Sequence, residues 1–220
     1  MILVPIKNTA FAKQRLASIL DQPARTALAQ AMLTDVLSIL YECKDRPNVA
    51  IVTGDAYATK LATEYNFEVI PDLDNPGETG AIEMATRLCV ERGVESTLVI
   101  PGDIPLIAQW ELEEIFKHAP TKGSLLVPAG DGRGTNAAFR APADLFPLRF
   151  GNDSFKPHHA AAQATGEPCV VIELPGIAVD VDNPADLGQL LRLPGDSRAQ
   201  TLARSWNLPE HLLATQPDAV

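Results

Sequence analysis

Three aspartates follow apolar runs in this 220-residue chain, which is a setting typical of oxygen ligands for a divalent cation. Asp103 lies between two prolines in IPGDIPL (residues 100–106), and Asp180 and Asp182 lie in VDVDNP (residues 179–184). In an extended segment, side chains two positions apart project to the same face. Hard carboxylate oxygens placed in this way suit Mg²⁺, which also binds substrate phosphates. Helix capping is the competing interpretation for Asp103, and also for Asp182 at the helix that follows.

Three cations follow the first apolar run. Lys7 ends the segment VPIK (residues 4–7), and Lys13 and Arg15 lie in AKQRL (residues 12–16). A strand that ends at this point would direct all three cations into one crevice, and fixed cations with backbone amides suit a triphosphate. A solvated basic loop is the alternative. The sequence contains neither a GxxxxGKS/T motif nor a GxGxxG motif, so it predicts neither a P-loop nor a dinucleotide fingerprint.

A glycine-rich segment, GDGRGTN (residues 130–136), could bring its backbone close to a ligand. Arg133, Thr135 and Asn136 could then hold an oxyanion or a carboxylate. A simple hairpin turn explains the same glycines equally well.

A second candidate anion site is FGNDSFK (residues 150–156), where Gly151 and Ser154 stand at the predicted start of a helix. Free amides and a hydroxyl at a helix start bind anions. An ordinary helix cap is the competing interpretation. His158 and His159 follow as surface residues or ligands, but they lack a third ligand at metal spacing and so do not predict zinc.

Apolar runs alternate with segments of helical period, which predicts a parallel sheet covered on both faces by helices. In such sheets ligands bind at the carboxyl ends of the strands. The predicted strands are 2–6, 48–53, 67–70, 97–100, 124–128, 137–139, 169–172 and 177–181. The predicted helices are 24–41, 56–65, 79–92, 109–117, 156–165, 184–193 and 197–206. We expect one domain over residues 1–193, followed by a helical C-terminal extension and tail over 194–220.

The acidic composition narrows the function classes. The 28 Asp and Glu residues exceed the 18 Lys and Arg residues, which gives a net charge of −10 and argues against nucleic acid as a partner. Three widely spaced cysteines predict neither a disulfide framework nor a zinc site. No signal peptide and no membrane-spanning run is recognised, so we expect a cytoplasmic protein without a membrane partner.

Five motifs, taken together and in order, resemble one family: VPIK…AKQRL, PGDIPL, DGRGTNA, GNDSF…H and VDVDNPADL. The family is that of the 2-phospholactate and phosphoenolpyruvate guanylyltransferases (CofC/FbiD) of coenzyme F-420 biosynthesis, and the resemblance spans about residues 2–192. It implies a nucleotidyltransferase-type three-layer α/β/α sandwich with a mostly parallel, mixed sheet.

The resemblance also implies an activity. GMP would pass from GTP to the phosphate of 2-phospho-L-lactate, phosphoenolpyruvate or 3-phospho-D-glycerate, with release of pyrophosphate. Carried over residue by residue, it assigns three groups of residues. The catalytic and nucleotide-binding residues are Pro5, Lys7, Lys13, Arg15 and Asp103; the acceptor contacts are Thr135, Gly151 and Ser154, beside Arg133 and Asn136; and the Mg²⁺ ligands are Asp103, Asp180 and Asp182.

One segment departs from the family pattern. Family members usually carry Gly-Leu-Asn ahead of the third helix, where this chain has PGETGA (residues 76–81). The resemblance implies that this region lines the nucleotide-base pocket, so Glu78 and Thr79 are candidates for the base contacts, with Glu78 accepting from a guanine. A first-turn helix acid is the alternative for Glu78.

Two other functions compete with guanylyl transfer. One is a sugar-phosphate or molybdopterin-type nucleotidyltransferase, and the other is a non-catalytic nucleotide-binding partner of a downstream ligase. On family grounds we expect a homodimer, and hand-over of the product to a downstream deazaflavin transferase.

Overall fold

The computed structural model of the protein describes residues 1–72, 77–151 and 153–213. Pro76 of the departing segment, Asn152 and the tail 214–220 lie outside these residues. The strands are β1 (Ile2–Ile6), β2 (Val49–Thr53), β3 (Glu68–Pro71), β4 (Thr97–Val99), β5 (Gly123–Pro128), β6 (Thr135–Ala141) and β7 (Cys169–Val171). The α-helices are α1 (Gln22–Glu42), α2 (Ala56–Glu64), α3 (Glu78–Glu91), α4 (Gln109–His118), α5 (Phe155–Ala164), α6 (Pro184–Arg192) and α7 (Arg198–Ser205).

These strands form one sheet in the order β3-β2-β1-β4-β6-β5-β7. Strand β1 pairs in parallel with β2 and β4, β2 with β3, and β5 with β7. Strand β6 runs antiparallel to both β4 and β5. The prediction of a mostly parallel, mixed sheet is therefore confirmed.

Helices cover both faces of the sheet because the central strands are apolar on both faces. Ile2 and Val4 of β1 pack with residues of α1, α2 and α4 on one face. Leu3, between them, packs with residues of α3 and α5 on the other face. The alternation of side chains along β1 thus produces the three-layer arrangement.

The segment after α6 packs against α1. Leu28 and Met32 of α1 share a buried cluster with Leu187 of α6 and Ala199 of α7. The Asp35 carboxylate of α1 accepts hydrogen bonds from the backbone N–H groups of Arg198 and Ala199, each at 2.9 Å. These are the free amides at the first turn of α7, so a side chain of α1 satisfies the start of a helix far away in the sequence.

The predicted strand 177–181 is wrong. Residues 175–178 form a turn, and residues 179–181 belong to no strand in the part of the chain that the structure describes. The buried Glu111 carboxylate accepts from the N–H groups of Gly176 and Ile177, at 2.7 and 3.3 Å. A side chain thus satisfies amides that a strand would have paired with a neighbouring strand.

One edge of the sheet gathers the candidate motifs. The carboxyl ends of parallel β1 and β4 meet there, and antiparallel β6 begins there because Val99 pairs with Ala138. Val181 donates its N–H to the Asp103 carbonyl at 3.3 Å, which brings the VDVDNP segment to the same edge. Among the helices of the described residues, none combines the length and the apolar character that a bilayer crossing requires.

Candidate active site

A cavity of about 530 Å³ opens at this edge of the sheet. Its size lies within the range of about 300–1,000 Å³ that is usual for small-molecule sites. Gly102 and Ile6 both line the cavity and pack closely, because Gly102 has no side chain. A Cβ at this position would lie 2.3 Å from Cδ1 of Ile6. The predicted residues that line the cavity are Pro5, Lys7, Lys13, Glu78, Asp103 and Asp182.

Lys13 joins the first and last motifs of the chain. Its Nζ lies 2.5 Å from Oδ2 of Asp103 and 2.8 Å from Oδ1 of Asp182. The side chain is only 8% exposed. Burial alone would lower the pKa of Lys13, but the carboxylates of Asp103 and Asp182 outweigh it and raise the pKa above its usual value. The side chain is therefore a buried ammonium ion.

The backbone of Lys13 is also unusual, with φ of 56° in the left-handed region. A residue with a Cβ occupies this region at an energetic cost and persists there only where its surroundings fix it. Here the two charge-assisted hydrogen bonds of the side chain fix it.

The two aspartates of VDVDNP differ in their electrostatics. Burial opposes ionisation of Asp182, but Lys13 and then Arg15 overcome it and lower the pKa of Asp182. The pKa of Asp180 rises to about 6 because of burial and the nearby negative charges of Asp103 and Asp182. Nδ2 of Asn136 donates to Asp180 at 3.0 Å and to the carbonyl of Ile177 at 2.9 Å. Asn136 thus holds Asp180 in place.

The donor set fits a divalent cation that is shared with phosphates. Within the described residues, no group of three or more acidic, histidine or cysteine side chains is assembled as a ready metal cage. Mg²⁺ does not need such a cage, because it usually binds one or two carboxylates together with water and substrate phosphates. Asp103 and Asp182 already bind one cation together, the Lys13 ammonium. Asp180 is near enough for the charges of both carboxylates to raise its pKa.

The other two predicted cations are exposed at the same edge. Arg15 is close enough to lower the pKa of Asp182. The Nζ of Lys7 lies 3.9 Å from the position that a Cβ on Gly77 would take, which puts it at the start of α3. Lys7 therefore faces the cavity across from Asp103.

Glu78, the first residue of α3, faces the same cavity. Burial and the Asp103 charge raise its pKa to about 7, although Lys7 opposes them. Thr79 is engaged elsewhere, since its hydroxyl accepts from the N–H of Phe150 at 3.0 Å. The predicted base contacts of Glu78 and Thr79 stay predictions, and what the structure adds is that Thr79 ties α3 to the segment before Gly151.

The glycine-rich segment forms the hairpin turn between β5 and β6, with the N–H of Ala129 bonded to the carbonyl of Gly134 at 2.9 Å. Arg133 is exposed and forms a two-point ion pair with Asp153, with Nε 2.5 Å from Oδ1 and Nη2 3.2 Å from Oδ2. This pair joins the hairpin to the loop before α5. The interpretation of the glycine-rich segment as a hairpin turn is therefore correct. It is compatible with ligand binding at Thr135, the first residue of β6.

The predicted acceptor residues come together next to this hairpin. The backbone N–H of Thr135 donates to Oγ of Ser154 at 3.1 Å. Both residues are nearly buried, while Gly151 is exposed, has φ of 140° and faces open space where a Cβ would be. The hydroxyl pair thus lies at the start of β6, next to Asn136, which binds Asp180, and no contact that places Gly151 at this pair is found among the described residues.

His158, which could be a surface residue or a ligand by its sequence position, is not at the surface. It is 1% exposed, and its ring contacts Thr135 and the backbone of Arg149. Its position four residues after Ser154 was the available signal, because residues at that spacing share one face of a helix. His159, in contrast, stacks on the Phe155 ring.

Comparison with known proteins gives a match to one sequence family and to single relatives over most of the chain. Residues 1–209 match the sequence family described as "Guanylyl transferase CofC like". A phosphoenolpyruvate guanylyltransferase from Conexibacter woesei is 33% identical over 98% of this chain and 97% of its own length. A 3-phospho-D-glycerate guanylyltransferase from Colwellia psychrerythraea is 33% identical over 91% of this chain and 95% of its own.

The fold has counterparts among solved structures. A protein described as a nucleotide-diphospho-sugar transferase, from Desulfovibrio desulfuricans G20, superimposes with a TM-score of 0.77 at 17% identity. The match covers 96% of this chain and 95% of that one. At this identity the likeness concerns the fold, and it agrees with the expected nucleotidyltransferase-type sandwich.

Proposed function

The chain belongs to the family of CofC-like guanylyl transferases, and from that premise we propose that it transfers GMP from GTP to a small phosphorylated three-carbon acid. The acceptor is phosphoenolpyruvate, 3-phospho-D-glycerate or 2-phospho-L-lactate, and the second product is pyrophosphate. The place of the reaction is coenzyme F-420 biosynthesis.

The observation that carries the proposal is the Lys13 ammonium between Asp103 and Asp182 at the cavity. A buried cation beside two carboxylates, at the carboxyl ends of β1 and β4, is suited to a substrate that brings both phosphates and a metal ion. Lys7 and Arg15 add two exposed positive charges at the same edge. Together they would neutralise the triphosphate of GTP.

The chemistry needs positioning and charge neutralisation more than a covalent residue. The phosphate of the acceptor is ionised at neutral pH, so it can attack the α-phosphorus without a strong general base. Lys13 would hold phosphate oxygens as charge develops on them, and Asp103, Asp180 and Asp182 would hold Mg²⁺. When bound, Mg²⁺ would supply positive charge to the phosphates and orient them.

The acceptor side rests on Thr135, Gly151 and Ser154. Asn136 follows Thr135 directly and holds Asp180, so the acceptor residues and the proposed metal ligands are linked through one short segment. This link supports a site in which the acceptor lies beside the triphosphate.

The proposal is tested by incubating the purified protein and Mg²⁺ with each of GTP, ATP, CTP and UTP and each of the three acids. Mass spectrometry should detect a product in which the acid and guanosine share a diphosphate. A parallel series with sugar 1-phosphates tests the competing sugar-phosphate activity. Products from sugar phosphates alone, or no product at all, would contradict the proposal, and the second result would favour a non-catalytic nucleotide-binding protein.

We also propose a homodimer and hand-over of the product to a downstream deazaflavin transferase, both on the basis of the family. Sedimentation velocity at micromolar concentration tests the first, with a monomer as the contradicting result. Faster product release in the presence of the transferase would support the second.

A further inference from the structure

The ring of His158 has a defined hydrogen-bonding direction. The backbone N–H of Arg149 points at Nε2 at 2.7 Å, and an amide N–H can only donate. Nε2 must therefore carry a lone pair rather than a proton. In a neutral imidazole the proton is then on Nδ1.

Among the residues that the structure describes, the Nδ1–H group has one hydrogen-bond partner, Oγ1 of Thr135 at 2.9 Å. His158 donates, so the Thr135 hydroxyl accepts, and one of its lone pairs is used. No hydrogen bond donated by the Thr135 hydroxyl is found to any residue in 1–72, 77–151 or 153–213. Its hydrogen is thus available to a ligand.

Ser154 is in the same state for a different reason. Its Oγ accepts from the backbone N–H of Thr135, and within the described residues its own hydrogen has no acceptor. Each of these two neighbouring hydroxyls accepts one hydrogen bond from an N–H group, and each can still donate its own hydrogen. Such a pair suits an oxyanion, which accepts only.

We propose that His158 is a positioning residue, which occupies a lone pair of the Thr135 hydroxyl and so leaves the hydrogen of this hydroxyl to be donated to an oxyanion of the acceptor. The inference rests on the proposed function, and it assigns a role to a residue outside the predicted acceptor contacts. It requires a neutral ring, because a proton on Nε2 would oppose the N–H of Arg149. Burial and the Arg140 charge lower the pKa of His158 to about 4, in agreement with this requirement.

The Phe150 ring supports the arrangement from the side. It meets the His158 ring edge-on, with centroids 5.0 Å apart and an interplanar angle of 66°. The backbone N–H of Phe150 is bound to Thr79, so this ring is itself fixed to α3. The orientation of the His158 ring is therefore maintained by hydrogen bonds of both ring nitrogens and by its contact with the Phe150 ring.

Two substitutions separate the positioning role from a purely structural one. The amide nitrogen of Asn reaches the place of Nδ1, so His158→Asn keeps the donor to Thr135 and loses the acceptor for Arg149. The Oε1 of Gln reaches the place of Nε2, so His158→Gln keeps the acceptor for Arg149 and loses the donor to Thr135. His159→Gln, on the same helix, is the matched control.

Steady-state kinetics with whichever acid the wild-type protein uses should rank the variants. His158→Gln should raise the acceptor KM about tenfold or more, as expected for a weakened hydrogen bond to a charged group, and leave the KM for GTP unchanged. His158→Asn and His159→Gln should stay within about threefold of wild type for both KM values. The reverse order, with His158→Asn impaired and His158→Gln normal, would show a structural role and overturn the proposal.

A second measurement does not depend on turnover. Long-range ¹H–¹⁵N NMR spectra of the wild-type protein distinguish the two neutral tautomers of histidine, and the His158→Asn spectrum assigns the signal. We expect the neutral Nδ1–H form at pH 6 and above. An Nε2–H or charged ring would overturn the inference even if guanylyl transfer is observed, and absence of all product would contradict the proposed function but leave this test intact.

Discussion

At the scale of single residues, Lys13 brings together two carboxylates that lie 79 positions apart in the sequence, Asp103 and Asp182. Without the ammonium between them, the two charges would face each other across a small distance. Removal of one member of a buried ion pair leaves its partners uncompensated, and this costs more than the pair itself contributes. Lys13 is thus needed both for the geometry of the cavity and for its charge.

We expect Lys13→Met to lower kcat/KM for guanylyl transfer by about 100-fold or more, the usual effect of losing one charge-stabilising donor. Methionine keeps most of the length of the side chain and removes the charge. Lys60→Met is the matched control, because the Lys60 side chain is 75% exposed on α2 and away from the cavity. Equal activity of both variants, with circular dichroism showing an intact fold, would remove Lys13 from the mechanism.

His158 leads to a prediction on the pH dependence of stability. Its pKa is about 4 in the folded protein against an ordinary value of 6.5, so the unfolded chain binds the proton more readily between these values. The contribution of neutral His158 is therefore complete above about pH 6.5 and is lost as the pH falls toward 4. The full difference corresponds to at most about 3 kcal/mol.

Urea unfolding of wild type and His158→Asn from pH 4 to 8 measures this contribution. The difference in unfolding free energy between the two proteins should shrink as the pH falls, because the variant has no group to titrate at this position. A difference that is constant over the whole range would mean that His158 keeps an ordinary pKa in the fold.

The candidate site residues were open to prediction to different degrees. Asp103 and Lys7 follow apolar runs that include strands, and the rule that ligands bind at the carboxyl ends of strands predicts their meeting. Asp182 was predicted from its spacing to Asp180 instead, since residues 177–181 are not a strand. Thr135 was predicted as an acceptor contact, but its hydrogen bond with His158 was not open to prediction, because the direction of that bond depends on which N–H reaches which lone pair. That information exists only once β6, α5 and the Arg149 backbone are in place.

At the scale of elements, α7 is attached to α1 through Asp35. The carboxylate receives the first amides of α7, while Ala199 and Ala203 pack into the cluster formed with α1 and α6. A helix of eight residues has little stability alone, so the position of α7 depends on such contacts with the rest of the chain.

Asp35→Ala should therefore lower the unfolding free energy by about 1–3 kcal/mol, the cost of leaving buried amides without an acceptor. Hydrogen exchange should show the loss concentrated in residues 198–205. The exposed Asp196, just before α7, provides the control, and Asp196→Ala should change stability by no more than about 0.5 kcal/mol. Protection of α7 that is the same in both variants would contradict this account of its docking.

The elements themselves were mostly predictable from local signals. Strands β1 and β2 are continuous apolar runs, and α3 ends before Gly93, which adopts φ of 73° as a helix-terminating glycine does. Residues 177–181 have the same apolar character as a strand, yet Glu111 of α4 accepts from the amides of Gly176 and Ile177 at the start of this segment. A pattern read along the chain contains no information about such a distant side chain.

At the scale of the whole molecule, the net charge of −10 at first argues against a protein that binds polyanions. Positive charge is nevertheless concentrated in one place, because Lys7, Lys13 and Arg15 lie at the edge of the sheet that holds the cavity. Part of the acidic excess, Asp103, Asp180 and Asp182, lies at the same edge and would be neutralised by a bound metal ion.

We accordingly expect GTP with Mg²⁺ to stabilise the protein, by about 2.7 kcal/mol when GTP is present at 100 times its dissociation constant. Thermal unfolding with and without GTP measures this, and chelation of Mg²⁺ by EDTA should remove most of the shift. A shift from GTP that is unaffected by EDTA would contradict the proposed role of the three aspartates.

The central claim, guanylyl transfer, is tested most directly by following the phosphorus of GTP. With wild-type protein, Mg²⁺ and the acceptor acid, label in the α-phosphate should appear in the acid-linked product, and label in the γ-phosphate should appear in pyrophosphate. Transfer of the γ-label to the acid would indicate a kinase instead. That result, or retention of both labels in GTP with all three acids, would contradict the account.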